Sequence, residues 1–302
     1  MPELPEVETI ARGLASRVTG DVVESVWLGS KPEPLKSTAA EIVSTLESQR
    51  IAGVRRVGKH IVFDLEPVAG RVGRAPSPAK GRNRPRGSIG ETKAGAGARP
   101  SQPQSTSQWI VHLGMTGRMV VCPPDSEIAK HTHLIAKLGS GRELRFVDPR
   151  RFGRLSVTRG FEAHGSEPLE VQLDHFLGLF HGRKTPIKSA LLNQKLLSGV
   201  GNIYADESLF RAGIRPRRRA SSLTMEDLRR LYPAVQEVLR EAIALGGSSV
   251  SDYVDADGEE GFFQLQHRVY GREGEPCLVC ETPIKRVVIA GRSSHYCPKC
   301  QK

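Results

Sequence analysis

The chain begins Met1-Pro2-Glu3-Leu4-Pro5-Glu6-Val7-Glu8, a run that predicts the first helix of the fold and places an unusual residue at its start. Apolar side chains continue from this run at helical spacing, namely Leu4, Val7, Ile10, Ala11, Leu14 and Val18. Pro5 suits the first turn of a helix, and the carboxylates of Glu6 and Glu8 favour its positively polarised N-terminus. We therefore expect an amphipathic helix whose apolar stripe packs on the domain that follows.

Pro2 gives this run a possible chemistry. A small second residue favours removal of the initiator methionine, which leaves Pro2 as a free secondary amine. An α-amino group titrates at about 7.7–8.0, so a useful fraction is unprotonated and nucleophilic near neutrality, and the helix N-terminus favours that form. Attack on a sugar carbon at the aldehyde oxidation level gives a permanently charged iminium, an electron sink, and Glu3 could move protons beside it. A capped helix without chemistry remains the simpler explanation of this run taken alone.

Composition limits the classes of protein that fit. A chain of 302 residues predicts two or three domains, and its net charge of +11 with a pI of about 9.7 favours a polyanionic partner. No apolar run approaches the roughly 18 residues of a membrane span, and the N-terminus lacks the features of a secretory signal. We expect a soluble intracellular protein, in which the five cysteines are metal ligands or spectators rather than disulfides.

The first 160 residues predict a β-rich layered domain. Alternating patterns and short turns indicate strands over 22–28, 51–66 with a break near Gly58, 109–113, 118–121, 134–138 and 143–147, and a short helix over 38–46. Residues 67–108 interrupt this pattern with seven Gly, six Pro, eight Lys or Arg and one acid, Glu91. This block carries +7 of the +11 charge and too little apolar surface to offset its ordering entropy, so we expect a disordered basic insertion.

The role of the insertion has two explanations. Loop-closure entropy grows slowly with length, so a neutral surface expansion is tolerated, and composition favours this explanation. The alternative is a basic tether that raises non-specific DNA affinity through counterion release, which an unchanged salt slope after deletion of residues 69–107 would rule out.

Two glycine-flanked turns expose residues that are hard to bury. His112-Leu113-Gly114-Met115-Thr116-Gly117-Arg118 places a methionine on one turn, and Asp148-Pro149-Arg150-Arg151-Phe152-Gly153 places a cation and an aromatic ring on the other. Apolar wedges and arginines of this kind occupy the hole that remains when a nucleotide is flipped out of a duplex. A core methionine and a structural arginine turn explain each motif separately.

The second half predicts two helices joined by a glycine turn. A helix beginning at Lys184 stops at Ser198-Gly199-Val200-Gly201-Asn202, and a second helix covers residues 203–212. Glycines allow close approach to a phosphate, and Asn202 could cap the second helix. Residues 225–245 predict a long amphipathic scaffold helix, and the glycine- and acid-rich residues 246–266 predict a loop.

The last motif is the pattern Cys277-x2-Cys280, sixteen residues, then Cys297-x2-Cys300, which matches the spacing of paired zinc knuckles. A segment too short for its own core would obtain its folding energy from the metal. We therefore predict one structural Zn²⁺ held by these four cysteines, and leave Cys122 as a spectator. Two disulfides are the alternative, which the intracellular interpretation disfavours.

Pro2–Thr9, the two turns, the two-helix unit with Ile-Tyr-Ala-Asp-Glu after its turn, and the cysteine knuckles all resemble bacterial formamidopyrimidine-DNA glycosylase. The resemblance runs to the last residue and leaves only the insertion unmatched. It implies an α+β protein with an N-terminal β-sandwich-like domain and helix (1–160), a helix-two-turn-helix domain (161–265) and a β-hairpin zinc finger (266–302). The loop over 246–266 would close over an everted 8-oxoguanine.

The resemblance also implies the activity. The enzyme would remove oxidised purines from damaged double-stranded DNA and cleave the abasic site by β,δ-elimination through a Schiff base. Pro2 would be the nucleophile, Glu3 the proton shuttle, Glu6 an electrostatic support, and Lys59 a contact near the reaction centre. The DNA contacts that it implies are Met115, Arg150 and Phe152 in the vacated space, and Lys184, Asn202 and Arg292 on the backbone.

Two alternatives stay open from the sequence. An endonuclease VIII-like enzyme would prefer oxidised pyrimidines, although Leu4 and the long 246–266 loop argue against it. A non-catalytic DNA-binding protein would use only the two-helix unit and the zinc finger. In each case we expect a monomer in the bacterial cytoplasm, associated with the nucleoid through DNA and not with membrane.

Overall fold

The computed structural model describes residues 2–68, 107–162, 164–248 and 261–302. The predicted insertion and the centre of the 246–266 loop therefore lie outside the described residues, apart from the ends of each segment. No helix within the described ranges is both long enough and apolar enough to span a bilayer.

Two four-stranded antiparallel sheets form the N-terminal half. The elements are α1 (Leu4–Val18), β1 (Val23–Leu28), α2 (Ala39–Leu46), β2 (Gln49–Val57), β3 (His60–Pro67), β4 (Ser107–His112), β5 (Arg118–Cys122), β6 (Thr132–Leu138), β7 (Glu143–Val147) and β8 (Arg154–Arg159). One sheet has the order β2-β3-β4-β8 and the other β1-β6-β7-β5. This arrangement confirms the predicted β-sandwich-like layer, and the predicted strands end within a few residues of the observed ones. The strand β8, which pairs with β4 at the edge of its sheet, was not predicted.

The core of this half lies between the sheets and under α1. Phe63 on β3 and Trp109 on β4 stack with ring centroids 4.6 Å apart, and both side chains are almost fully buried. The apolar stripe of α1 covers this core from Val7 to Val18, as its periodicity predicts. Leu4 instead belongs to the core of the helical half, so the first turn of α1 joins both halves of the molecule.

The second half is helical and ends in a hairpin. It contains α3 (Leu173–Phe180), α4 (Ile187–Leu191), α5 (Asn202–Arg211), α6 (Met225–Ala244), β9 (Lys285–Ile289) and β10 (Arg292–Tyr296). The helix α4 is shorter than predicted. Its N-cap residue is Pro186, so the helix begins only at Ile187, and a series of turns replaces it after Leu191. Leu4 N donates a hydrogen bond to Gly199 O at 3.1 Å, so the α4–α5 connection packs directly on the start of α1.

Candidate active site

Glu3 lies where the N-termini of α1 and α5 meet. Its side chain is 4% exposed, and its Oε1 accepts a hydrogen bond from Ile203 N at 3.3 Å. A Cβ atom on Gly201 would lie 2.0 Å from the Glu3 carboxyl carbon, so only glycine leaves space for this carboxyl group. The connection between the helices therefore forms the wall of a carboxylate site, at the positively polarised end of α5.

Burial sets the protonation of Glu3. Desolvation is the main cause that raises its pKa; Lys59 and the N–H groups of Ile203 and Tyr204 oppose the shift, the charge of Glu6 adds to it, and the resulting pKa is about 7. A carboxyl group with this pKa can give or take a proton near neutral pH. Pro2 is the preceding residue and is half-buried. Its imino nitrogen therefore belongs to the residue next to this acid–base group.

Glu6 is held more rigidly than Glu3. Its carboxylate accepts hydrogen bonds from Glu3 N at 2.7 Å, from Ser248 N at 2.8 Å and from the Tyr204 hydroxyl. Burial raises its pKa, although these three donors oppose the shift. Glu6 therefore fixes the backbone of Glu3 and joins α1 to α5 and to the residues that follow α6.

Lys59 enters the same cluster from the β2–β3 turn. A Cβ on Gly58, which has φ +60°, would lie 2.0 Å from Ser198 Oγ, so this turn also packs on the α4–α5 connection. Burial lowers the pKa of Lys59, the carboxylates of Glu3 and Glu6 raise it, and Arg292 lowers it. The structure thus brings Glu3, Glu6 and Lys59 together, with Pro2 next to Glu3 in the chain, so the residues predicted for catalysis come from the start of α1 and from the β2–β3 turn.

The predicted backbone contacts are only partly brought together. Arg292 begins β10, is exposed, and acts electrostatically on Lys59, and Asn202 Nδ2 lies 3.4 Å from Ser293 Oγ on the same strand. The capping role expected for Asn202 is wrong, because Gly201 is the N-cap residue and Asn202 is the first residue of α5. Lys184 lies before α4, exposed and without an ion pair among the described residues.

A buried charged network under these residues was missed by sequence reasoning. Lys188 Nζ lies 2.7 Å from Asp206 Oδ1 and donates to Ser293 O at 2.6 Å, and both charged side chains are fully buried. Asp206 Oδ2 accepts from His295 N at 2.9 Å. The network joins α4, α5 and β10, and the only sequence signal was a lysine and an aspartate on the apolar sides of two short helices.

The two predicted turns lie against each other. A Cβ on Gly114, which has φ +65°, would lie 2.5 Å from the Phe152 carbonyl carbon. Met115 is 41% exposed and Phe152 46%, and Arg150 Cζ lies 5.0 Å from the centroid of the Phe152 ring. The structure thus places a methionine, an aromatic ring and a cation on one exposed edge of the N-terminal domain.

Asp148 holds these turns together and was also missed as a functional residue. Its fully buried carboxylate accepts from Thr116 Oγ1 at 2.6 Å, Gly153 N at 2.7 Å and Arg150 N at 3.3 Å. His133 adds a ring nitrogen 3.0 Å from Asp148 O. The rigidity of the exposed edge therefore depends on one carboxylate that the motif already contained.

The four predicted metal ligands form one cluster. The Sγ atoms of Cys277, Cys280, Cys297 and Cys300 all lie within 4.8 Å of one another, and no pair is bonded as a disulfide. Four thiolates at about 2.3 Å from a central Zn²⁺ require a similar spacing, and Cys300 N donates to Cys297 Sγ at 3.4 Å as in a knuckle turn. The cluster therefore fits one structural zinc that holds the β9–β10 hairpin, while Cys122 lies elsewhere, on β5.

Comparisons with known proteins agree with this geometry. Family models match residues 1–155 (formamidopyrimidine-DNA glycosylase N-terminal domain), 165–254 (formamidopyrimidine-DNA glycosylase H2TH domain) and 274–302 (zinc finger found in FPG and IleRS). The formamidopyrimidine-DNA glycosylases of Solibacter usitatus and Listeria monocytogenes are 41% and 36% identical, with full coverage of both chains.

Solved structures extend the similarity to the whole fold. The MutM (FPG) protein of Thermus thermophilus aligns with a TM-score of 0.78 and 39% identity, over 99% of this chain and 98% of that one. A Lactococcus lactis FPG mutant in complex with Fapy-dG-containing DNA aligns over both full chains, with a TM-score of 0.81 and 28% identity. A complex of MutM with carbocyclic 8-oxo-G-containing DNA aligns with a TM-score of 0.80 and 29% identity, also over both full chains. From the matched domains and these full-length similarities, the chain belongs to the formamidopyrimidine-DNA glycosylase family.

Proposed function

We propose that this base-excision DNA glycosylase removes oxidised purines and then cleaves the abasic site, with Pro2 as nucleophile. The observation that carries the proposal is the buried Glu3 carboxyl group, directly after Pro2 and at the N-terminus of α5, with a pKa of about 7. An amine with an adjacent acid–base group of matched pKa is the requirement for covalent catalysis on a sugar carbon.

The Pro2 nitrogen forms a bond to C1′ as the bond from C1′ to the base breaks, and the base leaves with the electron pair. The departing base takes up the proton that the Pro2 nitrogen loses. Protonated Glu3 then gives its proton to the ring oxygen O4′, so the C1′–O4′ bond breaks, the sugar opens and the nitrogen becomes an iminium. The Glu3 carboxylate takes a proton from C2′, and the electron pair of that C–H bond passes into the iminium to give an enamine, which expels the 3′ phosphate. A second elimination along the same conjugated chain expels the 5′ phosphate. Through these steps Glu6 raises the pKa of Glu3 and Lys59 lowers it, so the two charges together tune its proton transfer.

DNA is the partner of this site. Met115, Arg150 and Phe152 fill the space that the flipped nucleotide leaves. Their exposure together on one edge supports this role. Asn202 and Arg292 bind the backbone beside the lesion, Lys184 adds a peripheral contact, and the zinc maintains the hairpin that carries Arg292. The protein works as a monomer in the bacterial cytoplasm, associated with the nucleoid through DNA, with domain boundaries near residues 160 and 265.

Borohydride trapping tests the proposal directly. Wild type should form a covalent adduct with an 8-oxoguanine duplex, whereas an N-terminally acetylated protein and Pro2→Gly should lose most or all of it. An acetylated protein that traps and nicks at the wild-type rate would refute the role of Pro2. Preferential cleavage of thymine-glycol duplexes would instead favour the endonuclease VIII-like specificity.

A further inference from the structure

A pocket of about 460 Å³ lies beside the proposed DNA-binding edge and is not used by the mechanism. It lies on the outer face of the β2-β3-β4-β8 sheet, and Lys36, His60, His112, Phe152, Arg154 and Phe161 are among its lining residues. Its volume is within the range of small-molecule sites, which is about 300–1,000 Å³. We call these six residues and the space between them the outer-sheet pocket.

The floor of the outer-sheet pocket is aromatic. The ring of His60 lies 5.0 Å from those of both His112 and Phe161, measured between centroids. Burial lowers the pKa of His112 to about 4, so its ring is neutral at pH 7. Gly114 N donates to His112 Nδ1 at 3.1 Å, which leaves the proton on Nε2 and makes that atom a hydrogen-bond donor.

Two cations lie at the rim. Neither Lys36 nor Arg154 has a carboxylate within 4.0 Å in the described part of the chain. Arg154 Nη1 donates to Gly153 O at 2.8 Å and to Arg151 O at 3.2 Å, so its guanidinium is held at this position while other N–H donors stay available. An aromatic floor with cations at the rim matches a base attached to a phosphate.

We propose that the outer-sheet pocket binds one nucleotide of the damaged strand close to the lesion, with its phosphate between Lys36 and Arg154 and its base on Phe161 and His60. This inference rests on the proposed function, because it takes DNA as the ligand. The damaged strand is favoured by continuity, since His60 directly follows Lys59 and Phe152 forms one wall of the pocket.

Phosphate interference identifies the contact. The probe is a duplex with a stable tetrahydrofuran abasic site and one neutral methylphosphonate, placed in turn at each position within about four nucleotides on either strand. For wild type, one or two damaged-strand methylphosphonates should weaken binding roughly 5- to 20-fold. For Lys36→Gln and Arg154→Gln, the same substitutions should weaken binding less than about twofold, and the salt slope on the unmodified duplex should fall by about 1 for each variant.

Arg159→Gln is the matched control, because it removes the same charge from the same strand, β8, outside the pocket lining. It should keep the wild-type interference pattern. Equal interference in wild type and in the two pocket variants would overturn the proposal. So would a loss of interference in these variants that is confined to methylphosphonates on the complementary strand.

The base contact has a separate readout. With 2-aminopurine next to the identified phosphate, Phe161→Ala should change its emission in the complex by at least about twofold, and Phe161→Tyr should not, since it keeps the stacking ring. Unchanged emission in both variants would overturn the stacking part. None of these measurements needs the Pro2 amine, because tetrahydrofuran lacks a leaving group at C1′. Failure of the pocket and failure of borohydride trapping are therefore distinguishable.

Discussion

Gly201→Ala tests whether the Glu3 carboxyl group must lie at the start of α5. The backbone at residue 201 has φ −126° and ψ −165°, a conformation that alanine adopts without strain. The added Cβ, however, would lie 2.0 Å from Glu3 Cδ and 2.3 Å from both carboxylate oxygens. Because non-bonded carbon atoms need about 3.5 Å, the carboxyl group must move by roughly 1.5 Å and lose its hydrogen bond to Ile203 N.

The expected cost follows from this displacement. A misplacement of about 1 Å costs on the order of 10²-fold in rate, which is about 2.7 kcal/mol of transition-state free energy. Single-turnover excision of 8-oxoguanine should therefore slow by roughly 10²-fold, while the Kd for a tetrahydrofuran duplex changes less than about threefold. Gly178→Ala is the matched control, since its Cβ would meet no atom within 4 Å on the exposed side of α3. A Gly201→Ala protein with the wild-type rate would refute the assignment of Glu3 as a positioned acid.

Four further results are expected. Single-turnover cleavage of a natural abasic site should slow above about pH 7 as Glu3 loses its proton, and Glu3→Gln should lack this limb of the profile. Burial raises the Glu3 pKa from 4.5 to about 7, so ionisation of Glu3 destabilises the fold as pH rises through that window. The difference in Tm between Glu3→Gln and wild type should therefore increase, in favour of the variant, between about pH 4.5 and 8. Chelation of zinc, or Cys297→Ser, should abolish tight DNA binding while the Trp109 core stays folded in near-UV circular dichroism. Asp148→Ala should lower stability by about 1–3 kcal/mol and weaken abasic-site binding, because three hydrogen bonds to the exposed turns are lost.

Each of these expectations has a contradicting outcome. A pH limb that persists in Glu3→Gln would assign the titration to another group, and a constant Tm difference across pH would contradict the raised pKa. Full DNA binding by a metal-free protein would contradict the structural role of zinc. For the exposed turns, Asp125→Ala removes an exposed carboxylate between β5 and β6 and should behave as wild type. Equal behaviour of the two aspartate variants would contradict the role of Asp148.

The sequence by itself determined the features that depend on neighbours along the chain. The apolar period of α1, the strand alternation and the exposed glycine turns follow from local periodicity and turn chemistry. The cysteine spacing is likewise a local rule, because each Cys-x2-Cys pair forms one knuckle of a tetrahedral site. The Zn²⁺ site and the exposure of Met115 and Phe152 were therefore predictable, and the structure agrees.

Only the tertiary structure decided which groups share a space. Glu3 and Ile203 are separated by 200 residues, and nothing in either segment indicates that one accepts a hydrogen bond from the other. The same holds for Lys188, whose buried partner Asp206 belongs to another helix, whereas the more conspicuous Lys184 is exposed. Such pairings arise from how the two halves pack, and burial, which raises the Glu3 pKa to about 7, exists only after they have packed.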